Sequence, residues 1–357
     1  MTGTRWYPVL AVALLSFSAW AVAPPAQGLP TSHAGTGSHA ITGAAHEAAA
    51  SPAPAVSPGA ALSPGAELGA YEWDDSTWWP DPSSYAASLG RLKSLGVTTL
   101  YVDITAAVAM EDSHSASLAS FLSDFEQLVR NAGADGVRID AVGGDPHWAT
   151  SDRQGPATLL AAVTQITTAL GPGVLEGVQF DVEPWALAGW HNHKAGYARD
   201  WLLFVQSAVS AWTSDGLSGR LGFTVPYWFD GVTGGVPRVM FDGTAAYPFQ
   251  LALAILAPLD DTVLNVMAYR NATAGPNGSL ALMNGNVQAA VAARSTTALL
   301  AGQETGPASP AEVTFYGTSC ATYQTAAGQI ADAFDGDALY AGIAVDDVES
   351  FEALCPG

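Results

Sequence analysis

Cations are scarce in this chain. Twelve Lys and Arg stand against 33 Asp and Glu in 357 residues, for a formal net charge of −21. Such a chain repels nucleic acid and anionic membrane, which removes nucleic acid from its partners and leaves a neutral or cationic ligand. Cysteine is scarcer still, with only Cys320 and Cys355 present. They lie too far apart, and have too little histidine nearby, for a zinc site. In an exported chain two cysteines read as one disulfide. Phosphate-cradling loops are missing: neither G-x-G-x-x-G nor a Walker sequence occurs, which argues against nucleotide-dependent chemistry. There is no G-x-S-x-G elbow and no H-E-x-x-H. No cofactor or catalytic metal is therefore expected, and a metal-dependent hydrolase is a third option behind the two readings developed below. Beyond the N-terminal segment no apolar run is long enough for a membrane span; 249–259 is apolar but short.

What is present divides into three parts. Residues 1–23 carry Arg5, then an apolar run, then Ala21-Val-Ala23, the pattern of a secretory signal peptide; an uncleaved membrane anchor is the alternative. Residues 24–68 are rich in Ala, Pro, Ser and Gly and nearly free of charge. Such a segment buries too little surface to offset its ordering entropy and reads as a disordered linker. His33, His39 and His46 lie in it at irregular spacing. Residues 69–357 are expected to form one domain. Within it, Asn271-Ala-Thr273 and Asn277-Gly-Ser279 match the glycosylation acceptor pattern.

In that domain short apolar segments alternate with helical ones. Strands are expected at 69–74, 98–104, 136–143, 175–183, 221–228, 262–269, 298–304 and 340–346. Helical periodicity marks 83–95, 117–132, 157–170, 195–213, 280–293 and 322–334, with a loosely helical stretch within 236–256. The fourth helix places Tyr197, Trp201, Phe204, Val205, Ala208 and Trp212 at three- and four-residue steps, a core-facing stripe. Eight strands in one alternating series imply an α/β fold, a (β/α)8 TIM barrel; a doubly wound open sheet is the competing arrangement.

Such a barrel keeps its chemistry at the strand C-termini. The fourth strand runs Glu176-Gly-Val-Gln-Phe-Asp-Val-Glu-Pro-Trp185, so Gln179, Asp181 and Glu183 share one face. Two acids two residues apart on an apolar strand make sense where it opens into a polar cleft. The other ends are rich in acids and aromatics too: Trp73 with Asp74 and Asp75 on the first, Asp103 on the second, Asp140 leading to Asp145 on the third, Trp228 and Asp230 on the fifth, Tyr269 on the sixth, Glu304 on the seventh, Asp346 and Asp347 on the eighth. Seven of the nine tryptophans after residue 23 lie at or just past these ends. A cleft of Trp, Asp and Glu with little Lys suits a saccharide, and carboxylates are the tools of glycosidic cleavage. The plainer alternative is a salt-bridge network at the mouth, with Arg138 or Arg270 neutralising Asp181 and Glu183.

The fourth strand resembles the D-G-x-D-x-D-x-E segment of chitinase-type glycoside hydrolases, with Glu176 and Gln179 replacing the first and middle Asp. Met267-Ala-Tyr269 resembles their sixth-strand M-x-Y, with Arg270 where an Asp usually follows. Their eighth-strand tryptophan has no counterpart in 342–347. This resemblance implies Glu183 as general acid, Asp181 orienting an acetamido group that acts as internal nucleophile, and Tyr269 bonding it. A second resemblance, to retaining β-glycosidase barrels with N-E-P on strand four, rests on Val182-Glu183-Pro184 and implies Glu304 as nucleophile. Together they point to a glycosidase of a neutral or N-acetylated oligo- or polysaccharide; the signal pattern makes it secreted, and a monomer with no membrane contact beyond the signal segment is expected. Glu183, Asp181 and Glu304 are its catalytic candidates; Tyr269, Trp185, Trp228, Asp140, Trp73 and Asp346 are its substrate-binding candidates. The rival reading is a non-catalytic carbohydrate-binding barrel.

Overall fold

The computed structural model of the protein describes residues 66–73, 82–104 and 117–356. The signal segment, nearly all of the linker, and the mouth residues Asp74, Asp75, Trp78 and Trp79 lie outside the described residues.

Eight parallel strands close into a barrel: β1 Glu67–Glu72, β2 Thr99–Asp103, β3 Arg138–Gly143, β4 Gly177–Phe180, β5 Arg220–Pro226, β6 Thr262–Met267, β7 Ala298–Glu304 and β8 Tyr340–Asp346. Each strand pairs with its neighbours in sequence, and β8 returns to β1 through Ala344 opposite Gly69 and Val345 opposite Ala70. The helices are α1 Pro82–Ser94, α2 Ser117–Ala134, α3 Gly155–Leu170, α4 Trp190–Ser214, α5 Pro248–Leu256, α6 Ser279–Ala293, α7 Cys320–Phe334 and α8 Val348–Leu354. The expected domain start at 69 falls inside β1, because Glu67 is held in the barrel by Arg220.

The main core lies between sheet and helices. On β4 the outward Phe180 stacks on Phe223 of β5 at 5.4 Å and meets Phe204 of α4 edge-on at 5.5 Å. The α4 stripe faces inward as its spacing requires, with Trp201, Phe204, Val205, Ala208 and Trp212 all buried. Two features depart from expectation. The stretch 236–256 begins with an antiparallel ribbon, Val239–Phe241 against Thr244–Ala246, before α5. Helix α8, capped by Asp347 and Ser350, was not expected. The disulfide Cys320–Cys355 forms, with Cα atoms 4.8 Å apart, and ties the start of α7 to the end of α8. Among the described residues no helix is long and apolar enough to cross a membrane.

The barrel interior is layered by the period of two. Its floor is ionic. Arg220 of β5 bonds Glu67, and its Nη2 and Nε donate to Asp140 Oδ2 at 2.7 and 3.1 Å. Arg138 Nη2 lies 3.1 Å from Glu67, and the Tyr101 hydroxyl also donates to Glu67. Tyr71, Tyr101, Val142, Val263, Leu300 and Ala344 form a small apolar layer inside the barrel.

Candidate active site

Four strands deliver the acids and Tyr269 to the barrel mouth. Asp181 and Glu183 follow β4, Tyr269 follows β6, Glu304 ends β7 and Asp346 ends β8. The β4 end is set by a close backbone approach: Asp181 N–H donates to Gly143 O at 3.1 Å. Gly144 permits it, since a Cβ there would lie 1.8 Å from Asp181 O.

Each acid is held by a defined donor. Trp185 Nε1 donates to Glu183 Oε2 at 3.1 Å. Trp73 Nε1 donates to Asp346 Oδ1 at 2.7 Å, and the Tyr269 hydroxyl bonds the same carboxyl. Gly306 N–H donates to Glu304 Oε1 at 2.6 Å. Glu304 and Asp346 are register partners on adjacent strands. Asp181 and Glu183 hydrogen-bond each other, while Asp181 Oδ1 is enclosed without a partner.

These acids resist ionisation. Burial raises Asp181 to about 6, against hydrogen bonds from Thr224 and Glu183. Burial pushes Glu183 well above the usual carboxylate range, and the charges of Asp181, Asp346 and Glu304 add to it. Burial and the neighbouring Asp346 raise Glu304 to about 9, and burial raises Asp346 to about 7. The charge of Asp181 thus adds to the burial that raises Glu183, while contact with Glu183 lowers Asp181. A pair of carboxyls pushed apart in this way divides into an acid and a charged partner.

The arginines weighed as neutralising partners are elsewhere. Arg138 belongs to the floor, paired with Glu67 and, at 3.7 Å, with Glu176. Arg270 donates to Tyr269 O at 2.6 Å and to the Tyr227 hydroxyl at 3.4 Å. Neither reaches Asp181 or Glu183, so the mouth is not a salt-bridge network built on them.

Most of the expected residues converge here: Asp181, Glu183, Glu304, Asp346, Tyr269, Trp73 and Trp185. Trp228 stands behind them, edge-on to Trp185 at 6.0 Å. Asp140 does not join them. It shares their inward face but sits at the opposite depth, in the floor with Arg220. Trp148 and Trp190 are buried packing residues rather than cleft walls. Asp145 caps the short turn Pro146–Ala149 by accepting from His147 N–H at 2.7 Å.

Other contributors went unrecognised in the sequence. Tyr71 stacks on Trp73 at 5.3 Å and accepts from Asn265 Nδ2 at 2.8 Å, which braces the Trp73–Asp346 bond from below. Thr224 serves both Asp181 and the Gln179 amide. The period of two along β1, which aligns Tyr71 with Trp73, was the available signal for Tyr71.

Comparisons with known proteins bear on the fold. No protein-family model matches the chain, and a search of curated proteins found no match. Solved structures do match. An exo-beta-1,4-mannosidase from Opitutaceae bacterium strain TAV5 aligns with a TM-score of 0.51 at 15% identity, over 81% of this chain and 53% of that one. A GH18 chitinase from Pseudoalteromonas aurantia gives 0.49 at 12% identity, over 80% and 98%. A family 1 b-glucosidase from Thermotoga maritima gives 0.49 at 10%, over 81% and 89%. At these identities the likeness is one of fold, the parallel eight-stranded barrel.

Proposed function

We propose that the protein is a glycosidase that cleaves a neutral or N-acetylated saccharide, with Glu183 as proton donor. The observation that carries this reading is the Asp181–Glu183 pair at the end of β4. It comprises two neighbouring carboxyls at one strand end, one of them held by Trp185, with neither Arg138 nor Arg270 to neutralise it. The mannosidase in the comparison shares the eight-stranded barrel fold.

In this reading Glu183 gives its proton to the glycosidic oxygen as the bond to the anomeric carbon breaks. Asp181 carries the negative charge beside the developing cation. With an N-acetylated sugar, the acetamido oxygen attacks the anomeric carbon, and Asp181 and Tyr269 hold the acetamido group. Water then attacks that carbon and returns a proton to Glu183, so the enzyme ends as it began. Glu304 as nucleophile is the second route. It needs an ionised Glu304, whereas Asp346 and burial favour its protonated form at neutral pH. The arrangement therefore favours the acetamido route. We propose further that the protein acts outside the cell, on the strength of the signal pattern in residues 1–23.

Release of reducing ends from a panel of neutral and N-acetylated glycans tests the activity. Glu183→Gln is expected to lose 100-fold or more of the turnover, on the order of the 10²–10⁴ that positioned acid catalysis supplies. Glu304→Gln is expected to keep most of it. Absence of turnover by the folded wild-type protein across the panel would transfer the assignment to a carbohydrate-binding barrel.

A further inference from the structure

Four neutral polar side chains meet inside the barrel beneath the acids: Tyr71 of β1, Gln179 of β4, Thr224 of β5 and Asn265 of β6, all buried. Thr224 and Asn265 are register partners on adjacent strands. Gln179 Nε2 donates to Thr224 Oγ1 at 3.2 Å, and Asn265 Nδ2 donates to the Tyr71 hydroxyl at 2.8 Å. Thr224 also hydrogen-bonds both Asp181 and Tyr71. Gly222 makes room for the Gln179 amide, since a Cβ there would lie 1.9 Å from Gln179 Oε1.

The protons of this group can be counted. A hydroxyl has one proton to give and two lone pairs to accept with, an amide N–H only donates, and an ionised carboxylate only accepts. In its bond with ionised Asp181, Thr224 is therefore the donor, which spends its one proton. Its lone pairs then receive Gln179 Nε2 and the Tyr71 hydroxyl, so Tyr71 donates to Thr224 and accepts from Asn265. Every bond runs one way: Asn265 to Tyr71 to Thr224 to Asp181, with Gln179 joining at Thr224. Donors on both its lone pairs leave the Thr224 hydroxyl one direction in which to point.

We propose that Gln179 and Thr224 are positioning residues: Gln179, with Tyr71, fixes the Thr224 hydroxyl as a permanent donor to Asp181, and this donor holds Asp181 charged and oriented beside the bond that Glu183 protonates. The proposal rests on the glycosidase reading above. The titratable groups that face Asp181 are Glu183 on its own strand, Tyr71 of β1, Tyr269 after β6 and Asp346 of β8. Strands β3 and β5 meet it through Gly143, Gly144 and Thr224, which do not titrate. None of these groups is a cation, so neutral donors carry the task of steadying the charge. Linked hydrogen bonds in a dry interior strengthen one another. Gln179 stands where the chitinase-type resemblance has an Asp. An ionised Asp there would only accept, and would draw the Thr224 proton away from Asp181. The departure from that pattern gives the relay its direction.

The test is the pH profile of kcat/KM on the glycan that the panel above identifies, for wild type, Thr224→Val, Thr224→Ser and Gln179→Met. Alongside it, infrared titration follows the carboxyl C=O band of Asp181, identified by its loss in Asp181→Asn. Thr224→Val keeps the shape and loses the donor, so the rising limb and the band should both move up by about one pH unit, the scale of one hydrogen bond to a charged group. Thr224→Ser keeps the hydroxyl and should leave both where wild type has them. Gln179→Met should move both in the same direction by roughly a few tenths of a unit, the scale of one strengthening neighbour. A limb and band that stay in place in Thr224→Val overturn the proposal. So does a shift in Thr224→Ser as large as that in Thr224→Val, which would make the effect one of packing. If Thr224→Val does not fold, an unmoved band in Gln179→Met overturns it. If no glycan is cleaved, the glycosidase reading fails and the infrared band decides this proposal separately. A shift in Thr224→Val that Thr224→Ser lacks upholds the relay, and no shift overturns it.

Discussion

At the residue scale the site is a problem of proton placement. Asp181 and Glu183 sit two residues apart and share a hydrogen bond, yet one must carry charge while the other keeps its proton. Burial raises both, and the charge of Asp181 further raises Glu183. A pH–rate profile should therefore rise through about 6 as Asp181 ionises. It should fall only at a pH well above that, where Glu183 loses its proton. Asp181→Asn removes the rising limb, because no charge is left to form. It also moves the falling limb to lower pH, because Glu183 loses the neighbour that held its proton on. The check is kcat/KM against pH for wild type and Asp181→Asn. An unchanged rising limb in the variant would assign that limb to another group and leave Asp181 a structural acid.

At the element scale the barrel is closed at its floor by charge. Glu67 of β1, Asp140 of β3 and Arg220 of β5 meet across the interior, which joins three strands far apart in sequence. Burial opposes the charge on Glu67, but Arg220, Tyr101 and Arg138 together hold its carboxyl below the ordinary value. Removing one partner of a buried ion pair strands the others. Arg220→Ala should cost about 3–5 kcal/mol at neutral pH, read by chemical denaturation. Because Glu67 titrates below its unfolded value, its stabilisation is present above that value and fades as pH falls through the folded one. The deficit of Arg220→Ala should therefore shrink in acid. A deficit that is constant from pH 7 to pH 3 would mean lost packing rather than lost charge.

These elements also show what the sequence made legible. All eight strands were readable because buried parallel strands are apolar runs bounded by turns. Asp181 and Glu183 stood out because acids are rare on such a run. The depth of Asp140 was not readable. Strand periodicity tells which face a residue takes but not how far along the barrel axis it sits, and the Arg220 that fixes it lies 80 positions away. The ribbon before α5 carried a signal that the helical reading overrode. Asp242-Gly243 is the two-residue hairpin turn, and both residues adopt positive φ, 46° and 78°. Helix α8 is a short segment whose cap, Asp347 with Ser350, also borders the site.

At the scale of the whole molecule, the site acts against the stability of the fold that carries it. Asp181, Glu183, Glu304 and Asp346 all have folded pKa values raised above those of an unfolded chain. Between the two values the native state binds more protons than the unfolded one, so stability falls as pH rises. That contribution is complete below about pH 4 and is lost through about 6 for Asp181, 7 for Asp346 and 9 for Glu304. In the floor Glu67 pulls the other way, since it needs its charge, although burial raises its neighbour Asp140 to about 6. The two opposing trends put maximal stability in mildly acidic solution. They also make a removal stabilising: Glu304→Gln keeps the shape of the side chain and deletes one titration. Its melting temperature should exceed that of wild type by a few degrees at pH 9, at roughly 2–4 °C per kcal/mol for a domain of this size. The two should converge near pH 4, where wild-type Glu304 is protonated in both states. Calorimetric melting of both proteins across this range is the check. A variant less stable than wild type at pH 9 would show that the Glu304 carboxylate is satisfied in the folded protein, and that the mouth does not hold acids at the expense of the fold.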